Sequence, residues 1–325
     1  MLASARLAGM ADKFAPFVAA LGRGPGRSRD LTQDEARAAF GLILAGEADP
    51  VQLGAFLMLL RYRGENPATI AGLVEAARAH AGLPLAGLAA DLDWPSYGAG
   101  RTREAPLFLL AALALAAHDV AICMHGTNEF GTGLSVPQAL EILGIAPARN
   151  AADAAQQIRE KRFTYLPLAA FAPRLNELFG LRRLFGLRTP VNTLVRLLDP
   201  ADAPVSVDGV FHPPYIETHL SAAELLGRPR LMVIKGGGGE AERSPFKPTA
   251  AYLWQQGSGR AEFTFPALST RTEPNTTDIL AIWRGETETP PAVLATIALA
   301  RFALGRANTP EEADQMAEKI WQARR

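Results

Sequence analysis

Leu231-Met232-Val233-Ile234-Lys235 opens directly into Gly236-Gly237-Gly238-Gly239, and Glu240, Ala241, Glu242 and Arg243 follow. A continuous apolar run of this length predicts a buried strand. Backbone without side chains after such a strand is how α/β proteins bring main-chain N–H groups up to an anionic ligand. A surface turn would use the same glycines, so the stretch sets an α/β frame and leaves the loop's role to its neighbours.

Charge excludes a global answer. The 325 residues carry 33 Lys and Arg against 33 Asp and Glu, so any site for a polyanion must be local. With 48% hydrophobic and 20% charged residues, the chain has room for two ordinary domains. The single Cys123, between Ile122 and Met124, forms no internal disulfide and predicts a buried thiol in a reducing cytoplasm. No membrane partner is expected, because the longest apolar run, Ala105 to Ala117, is shorter than the roughly 20 residues a span needs. The stretch Phe14 to Leu21 is short and contains Pro16, so it does not read as a secretory signal.

Residues 22–29 form a glycine-rich basic linker. Thr32 and Glu35 predict a capping box ahead of Ala36 to Leu44, with Gly46 ending that helix. Asp49-Pro50 and Asn66-Pro67 each set a cap before a first-turn proline. Leu53, Phe56, Leu57 and Leu60, then Ile70, Leu73, Val74 and Ala77, recur at helical spacing. A helical domain over 1–85 is expected, joined by helices from about 168–200, with an α/β domain over 86–325.

Trp94 to Arg103 reads as a glycine turn, in which Gly98, Gly100, Arg101 and Arg103 suit a phosphate at the start of the helix 105–117. Val120 to Met124 predicts a strand running into His125, which suits an acid, a base or a hydrogen-bonded structural histidine. Between Arg174 and Leu198, Arg174, Arg182, Arg183, Arg188 and Arg196 stand against Glu177 alone, the clearest local anion-binding signal. Strands are expected at Phe163 to Leu166, Val205 to Phe211, Leu231 to Ile234, Tyr252 to Trp254 and Ala261 to Phe265. Helices are expected at Pro137 to Leu143, at Ala222 to Leu226 and around 277–285, 291–304 and 310–323. There is no zinc-type Cys/His spacing, no Gly-x-Ser-x-Gly elbow and no Walker-type loop.

The ordered motifs resemble anthranilate phosphoribosyltransferase and its glycosyltransferase family 3 relatives. The resemblance rests on the helical start, on His125-Gly126 ahead of Ala139 to Gly144, on Phe171-Ala172-Pro173, and on Gly186-Leu187-Arg188-Thr189-Pro190-Val191-Asn192-Thr193-Leu194. It implies a small helical domain beside a larger α/β domain with a mainly parallel sheet, a dimer through the helical part, and a ligand cleft between domains.

Against the family's pattern, Tyr97-Gly98-Ala99-Gly100-Arg101 replaces an acid by a base, and Met124-His125-Gly126-Thr127-Asn128 keeps His-Gly without its flanking cations. The family's magnesium-binding acidic pair falls on Glu240 and Ala241, with Glu242 the nearest replacement acid. Magnesium-diphosphate chemistry needs hard oxygen ligands and cations on the leaving group, so these exchanges point away from anthranilate transfer. Asp93 to Tyr97, the basic loop after it and Lys235 to Arg243 are most similar to the YbiB-type branch, which the resemblance implies binds nucleic acid.

Two expectations follow. A homodimeric binder of nucleic acid without sequence preference would use Gly98, Gly100, Arg101, Arg103, Arg182, Arg183, Lys235, Gly236, Gly237, Arg243 and Lys247 against phosphate, with Tyr97 or Phe246 stacking on bases. A pentosyltransferase with another acceptor would bind a small phosphorylated donor, hold Mg2+ on Glu240 and Glu242, and turn His125 and Arg188 to the acceptor.

Overall fold

The computed structural model describes residues 13–98, 105–127, 130, 133–270 and 278–324. The amino-terminal part is a helical bundle: α1 (13–22), α2 (Gln33–Leu44), α3 (Pro50–Arg63) and α4 (Pro67–His80). Its starts are chemical. Thr32 and Glu35 form the reciprocal capping box of α2, while the Asp49 and Asn66 side chains accept the first free N–H groups of α3 and α4. The periodic residues Phe56, Leu57, Leu60, Ile70, Leu73, Val74 and Ala77 are all buried.

After the bundle the chain runs β1 (Leu92–Ser96), α5 (Leu107–Ala117), β2 (Ile122–Gly126), α6 (Val136–Ile142), α7 (Ala151–Lys161) and β3 (Phe163–Pro167). Short helices α8 (Leu168–Phe171), α9 (Pro173–Gly180), α10 (Arg182–Phe185) and α11 (Val191–Leu194) lead back to the bundle. Next come β4 (Val205–Val210), α12 (Pro214–Leu225), β5 (Arg230–Lys235), β6 (Thr249–Gln255), β7 (Gly259–Phe265), α13 (Ile279–Arg284), α14 (Pro291–Ala303) and α15 (Pro310–Gln322). The sheet order is β3-β2-β1-β4-β5-β6-β7, parallel from β3 to β5 and antiparallel across β5-β6-β7. None of the described helices is long and apolar enough to cross a membrane.

Strand alternation sorts the side chains into two cores. Cys123, Leu231 and Val233 face the bundle and the α8–α11 segment, whereas Trp94, Ile122, Met124, Met232 and Ile234 face α5, α14 and α15. Helix α5 is apolar all round and buried along its length, the signature of a helix closed in on every side. At the open edge, Arg260 of β7 pairs with Glu217 and Glu224 of α12.

One expected turn is a strand. Trp94, Pro95 and Ser96 belong to β1, at the centre of the sheet, where Pro95 sits opposite His125 of β2. Proline gives no ladder N–H, which hid this strand in the sequence.

Candidate binding edge of the sheet

The strand order turns between β1 and β4, and in open α/β sheets ligands bind outside the carboxyl ends at such a point. That edge gathers Tyr97 and Gly98 after β1, Gly126 ending β2, Phe211 after β4, and Lys235 and Gly236 at β5.

The glycine stretch is a folded corner. Gly236 N–H donates to Val210 O at 3.0 Å, Gly239 N–H to Gly236 O at 3.2 Å and Glu240 N–H to Gly237 O at 3.2 Å. A Cβ on Gly236 would lie 1.6 Å from Glu240 O, so only glycine lets the chain fold back here. Glu240 accepts the Gly98 N–H, and Glu242 Oε2 accepts the Phe108 N–H at 2.9 Å in the first turn of α5. Both acids are buried and fix main chain. The amides of Gly98 and Gly236 are therefore engaged internally and are not phosphate donors, whereas Gly237 is exposed.

Three expected contacts move into the core. Arg243 is fully buried: its guanidinium pairs with Asp314, donates to Pro266 O at 2.5 Å and lies 4.5 Å over the Phe265 ring. It cannot reach a phosphate outside. His125 is likewise buried, with Nδ1 2.8 Å from the Tyr97 hydroxyl and Nε2 3.1 Å from Asp93 Oδ1. This is a structural relay between two strands and not an acid or base open to substrate. Tyr97 is buried too, so it stacks on no base, and burial followed by the neighbouring Tyr165 and Asp93 pushes its hydroxyl pKa well up.

The remaining cations stand at or near the edge. Lys235 and Lys247 are exposed, and Arg182 and Arg183 lie 4.6 and 5.6 Å from the ring centre of Phe130, just beyond β2. Arg174 is paired with Glu177 at 2.7 Å. Gly100, Arg101 and Arg103 lie outside the described residues.

A cavity of about 340 Å³ lies where the bundle meets the sheet edge, lined by the expected Arg188 and Arg196 and also by Arg61, Glu65, Phe211 and Tyr215, which sequence reasoning had not assigned to a site. Arg61 Nη1 donates to the Tyr215 hydroxyl at 2.6 Å, and that hydroxyl donates to Glu65 Oε1 at 3.1 Å. Arg196 Nη1 holds Asp208 Oδ1 at 3.0 Å and Gly209 O at 3.1 Å, while Asp208 Oδ2 meets His219 Nδ1 at 2.6 Å. Burial acts to raise the Asp208 pKa, but His219 and Arg196 outweigh it and hold the carboxyl below its ordinary value. Arg188 and Arg196 belong to the arginine excess that the sequence showed, whereas Arg61 with Glu65, four residues apart, also describes an ordinary solvated helix face.

A helical bundle beside a mainly parallel sheet, whose order switches between β1 and β4, defines a two-part α/β fold. Residues 15–81 match the model of the glycosyl transferase family, helical bundle domain, and residues 100–288 match that of the glycosyl transferase family, a/b domain. The chain belongs to this family. It is 30% identical over 229 residues to the uncharacterized protein YbiB of Escherichia coli (strain K12), covering 69% of this chain and 71% of that one. It is also 30% identical over 277 residues to the anthranilate phosphoribosyltransferase of Gluconobacter oxydans (strain 621H), covering 83% and 74%. Among solved structures, anthranilate phosphoribosyltransferase (TrpD) from Thermus thermophilus superposes with a TM-score of 0.75 at 25% identity, over 96% of this chain and 95% of that one. The Saccharomyces cerevisiae enzyme in complex with PRPP and Mg shares the fold at a TM-score of 0.73 and 16% identity, over 96% and 94%.

The acids that would meet magnesium of the kind held in the yeast structure are Glu240 and Glu242, one or two carboxylates being what such an ion takes beside ligand phosphates. Each already accepts a main-chain N–H, Glu240 through Oε1 from Gly98 and Glu242 through Oε2 from Phe108.

Proposed function

We propose that this family member binds nucleic acid through its phosphate backbone, largely without sequence preference, and does not transfer phosphoribosyl groups to anthranilate. The observation that carries this reading is the division of charge at the sheet edge. Lys235, Lys247 and Arg183 are exposed there, while the acids of the glycine corner are turned inward onto main-chain N–H groups. Cations from separate segments suit a flexible polyanion better than a single leaving group, because each contact adds phosphate neutralisation without base readout.

Titration of single- and double-stranded oligonucleotides should give micromolar or tighter binding at low salt. Log affinity should fall linearly with log salt, by about 0.9 per phosphate contacted on a duplex. Charge reversal at Lys235 and Arg183 together should weaken every sequence alike, by about tenfold or more. Absence of binding at micromolar protein sinks the proposal, and measurable anthranilate turnover with phosphoribosyl diphosphate sinks its second half.

The likeness to anthranilate phosphoribosyltransferases along most of the chain favours a second reading, a pentosyltransferase with another acceptor. Thermal stabilisation by phosphoribosyl diphosphate with Mg2+ would support it, and no shift at millimolar ligand would count against it.

Self-association belongs to the same proposal. Val51 and Tyr62 of α3 and Leu184 and Leu187 around α10 are exposed apolar side chains suited to cover by a second copy. Sedimentation velocity should give twice the monomer mass, and a monomer at all concentrations would remove the dimer from the binding scheme.

A further inference from the structure

We propose that the buried charge cluster between α4 and the amino end of the sheet is a pH-sensitive lock. Asp93 and Asp199 share one proton that the unfolded chain releases, so the bundle is held to the sheet most firmly in mild acid. The lock lies at the opposite end of the strands from the binding edge and depends on no reading of what binds there.

The fold brings the groups together. Asp93 of β1 stands in register with Cys123 of β2 and Ser206 of β4, on the side of the sheet that faces the bundle. Asp93, Asp199, Ser206 and Arg228 line a void of about 10 Å³, room for roughly one water, so what this cluster can exchange is a proton and not a larger ligand. Arg78 of α4 donates to Leu198 O, to Asp199 O at 2.7 Å and to Asp202 Oδ1 at 2.9 Å, tying the bundle to the segment before β4. Arg228, ahead of β5, donates to Asp199 Oδ2 at 2.5 Å and to Leu197 O at 2.7 Å.

Cations are one short. Among the described residues, Arg78 and Arg228 meet three carboxyls, those of Asp93, Asp199 and Asp202. Arg196 adds nothing, because it is paired with Asp208, which also meets His219. Asp202 is 60% exposed and meets water, whereas Asp93 and Asp199 are each 1% exposed. Among the described residues no donor is aligned on either Asp93 oxygen, although His125 Nε2 stands 3.1 Å from Oδ1. A buried carboxylate without a donor is costlier than a neutral carboxyl, so the pair keeps a proton and titrates as a unit. Burial, then the charge of Asp93, pushes the Asp199 carboxyl up to about 7 against the pull of Arg228. Burial above all pushes the Tyr97 hydroxyl and the Cys123 thiol well up, so neither loses its proton in this range.

The sign follows from the raised value. The folded chain holds a proton that the unfolded chain, with an ordinary carboxyl at 3.8, gives to water. Stability from the pair is therefore fullest below about pH 4, falls as pH rises to about 7, and levels off above.

Urea unfolding of the full chain from about pH 5 to about pH 8.5 tests the lock. Below about pH 7 the folding constant of the parent should fall with rising pH, by close to tenfold per unit more than that of Asp93→Asn. Above about pH 7.5 that variant should exceed the parent by about tenfold or more in folding constant, an advantage that shrinks in mild acid. Equal slopes in the two proteins overturn the proposal. His125→Gln should keep the parent's slope, and a slope lost with the imidazole places the proton there and overturns the carboxyl pair. Infrared titration of the parent keeps the test open if a variant does not fold. The C=O band of a protonated carboxyl should be present at about pH 6, where ordinary carboxyls are ionised, and lost by about pH 8.5. No such band at about pH 6 overturns the shared proton.

Discussion

Arg243→Ala should lower the stability of the protein by about 3–5 kcal/mol, the cost of leaving one member of a buried ion pair without its partner. Asp314 is only 10% exposed and would lose both guanidinium contacts, while Pro266 O and the Phe265 ring would lose theirs. Urea or guanidinium unfolding measures the loss. DNA affinity, taken on the folded fraction, should stay unchanged, because the guanidinium never reaches solvent. The opposite pattern, weaker DNA binding at parent stability, would restore Arg243 to the phosphate contacts. Arg243→Lys should rescue little, since a point charge replaces a fork that meets three partners.

Gly236→Ala should be at least as damaging. The new methyl would lie 1.6 Å from Glu240 O and 2.8 Å from Glu240 C, both main-chain atoms that cannot rotate away. Overpacking typically costs about 1–3 kcal/mol, and parting two backbone segments belongs at or above the top of that range. Gly41→Ala gives the contrast: it lies within α2 with nothing within 4 Å of the new carbon, so it should gain roughly 0.5–1 kcal/mol. If both substitutions proved neutral, the corner would be looser than its hydrogen bonds indicate.

Most of the architecture was legible because it is written locally. The capping box at Thr32, the cap-proline starts at Asp49 and Asn66, and the apolar run of β5 are short-range signals that tertiary packing did not overrule. β1 was lost because Pro95 mimics a turn. Helix α7, capped by Asn150, buries only Ala154, Ala155 and Ile158 in an otherwise polar segment and was also missed.

The candidate site was less legible, since its meaning depends on distant partners. Arg243 next to glycines looks exposed until Asp314, 71 positions away, is packed against it. Arg61 looks like a helix-face charge until Tyr215, 154 positions away, receives its hydrogen bond. Glu240 and Glu242 look like free carboxylates until Gly98 and the start of α5 are seen to donate to them. A sequence shows which groups are available, and only the fold shows which are already committed.

Strand β7 has a consequence for how such a protein survives in solution. It is the last strand of the sheet, largely exposed, and its Arg260 is tied across to α12. An open strand edge invites another chain to add on, and an outward charge makes that docking costly. Arg260→Val would remove the charge and its two acidic partners' anchor together, leaving a flatter and more apolar ribbon. The strand farthest from the binding edge thus acts as a guard against fibre-like stacking.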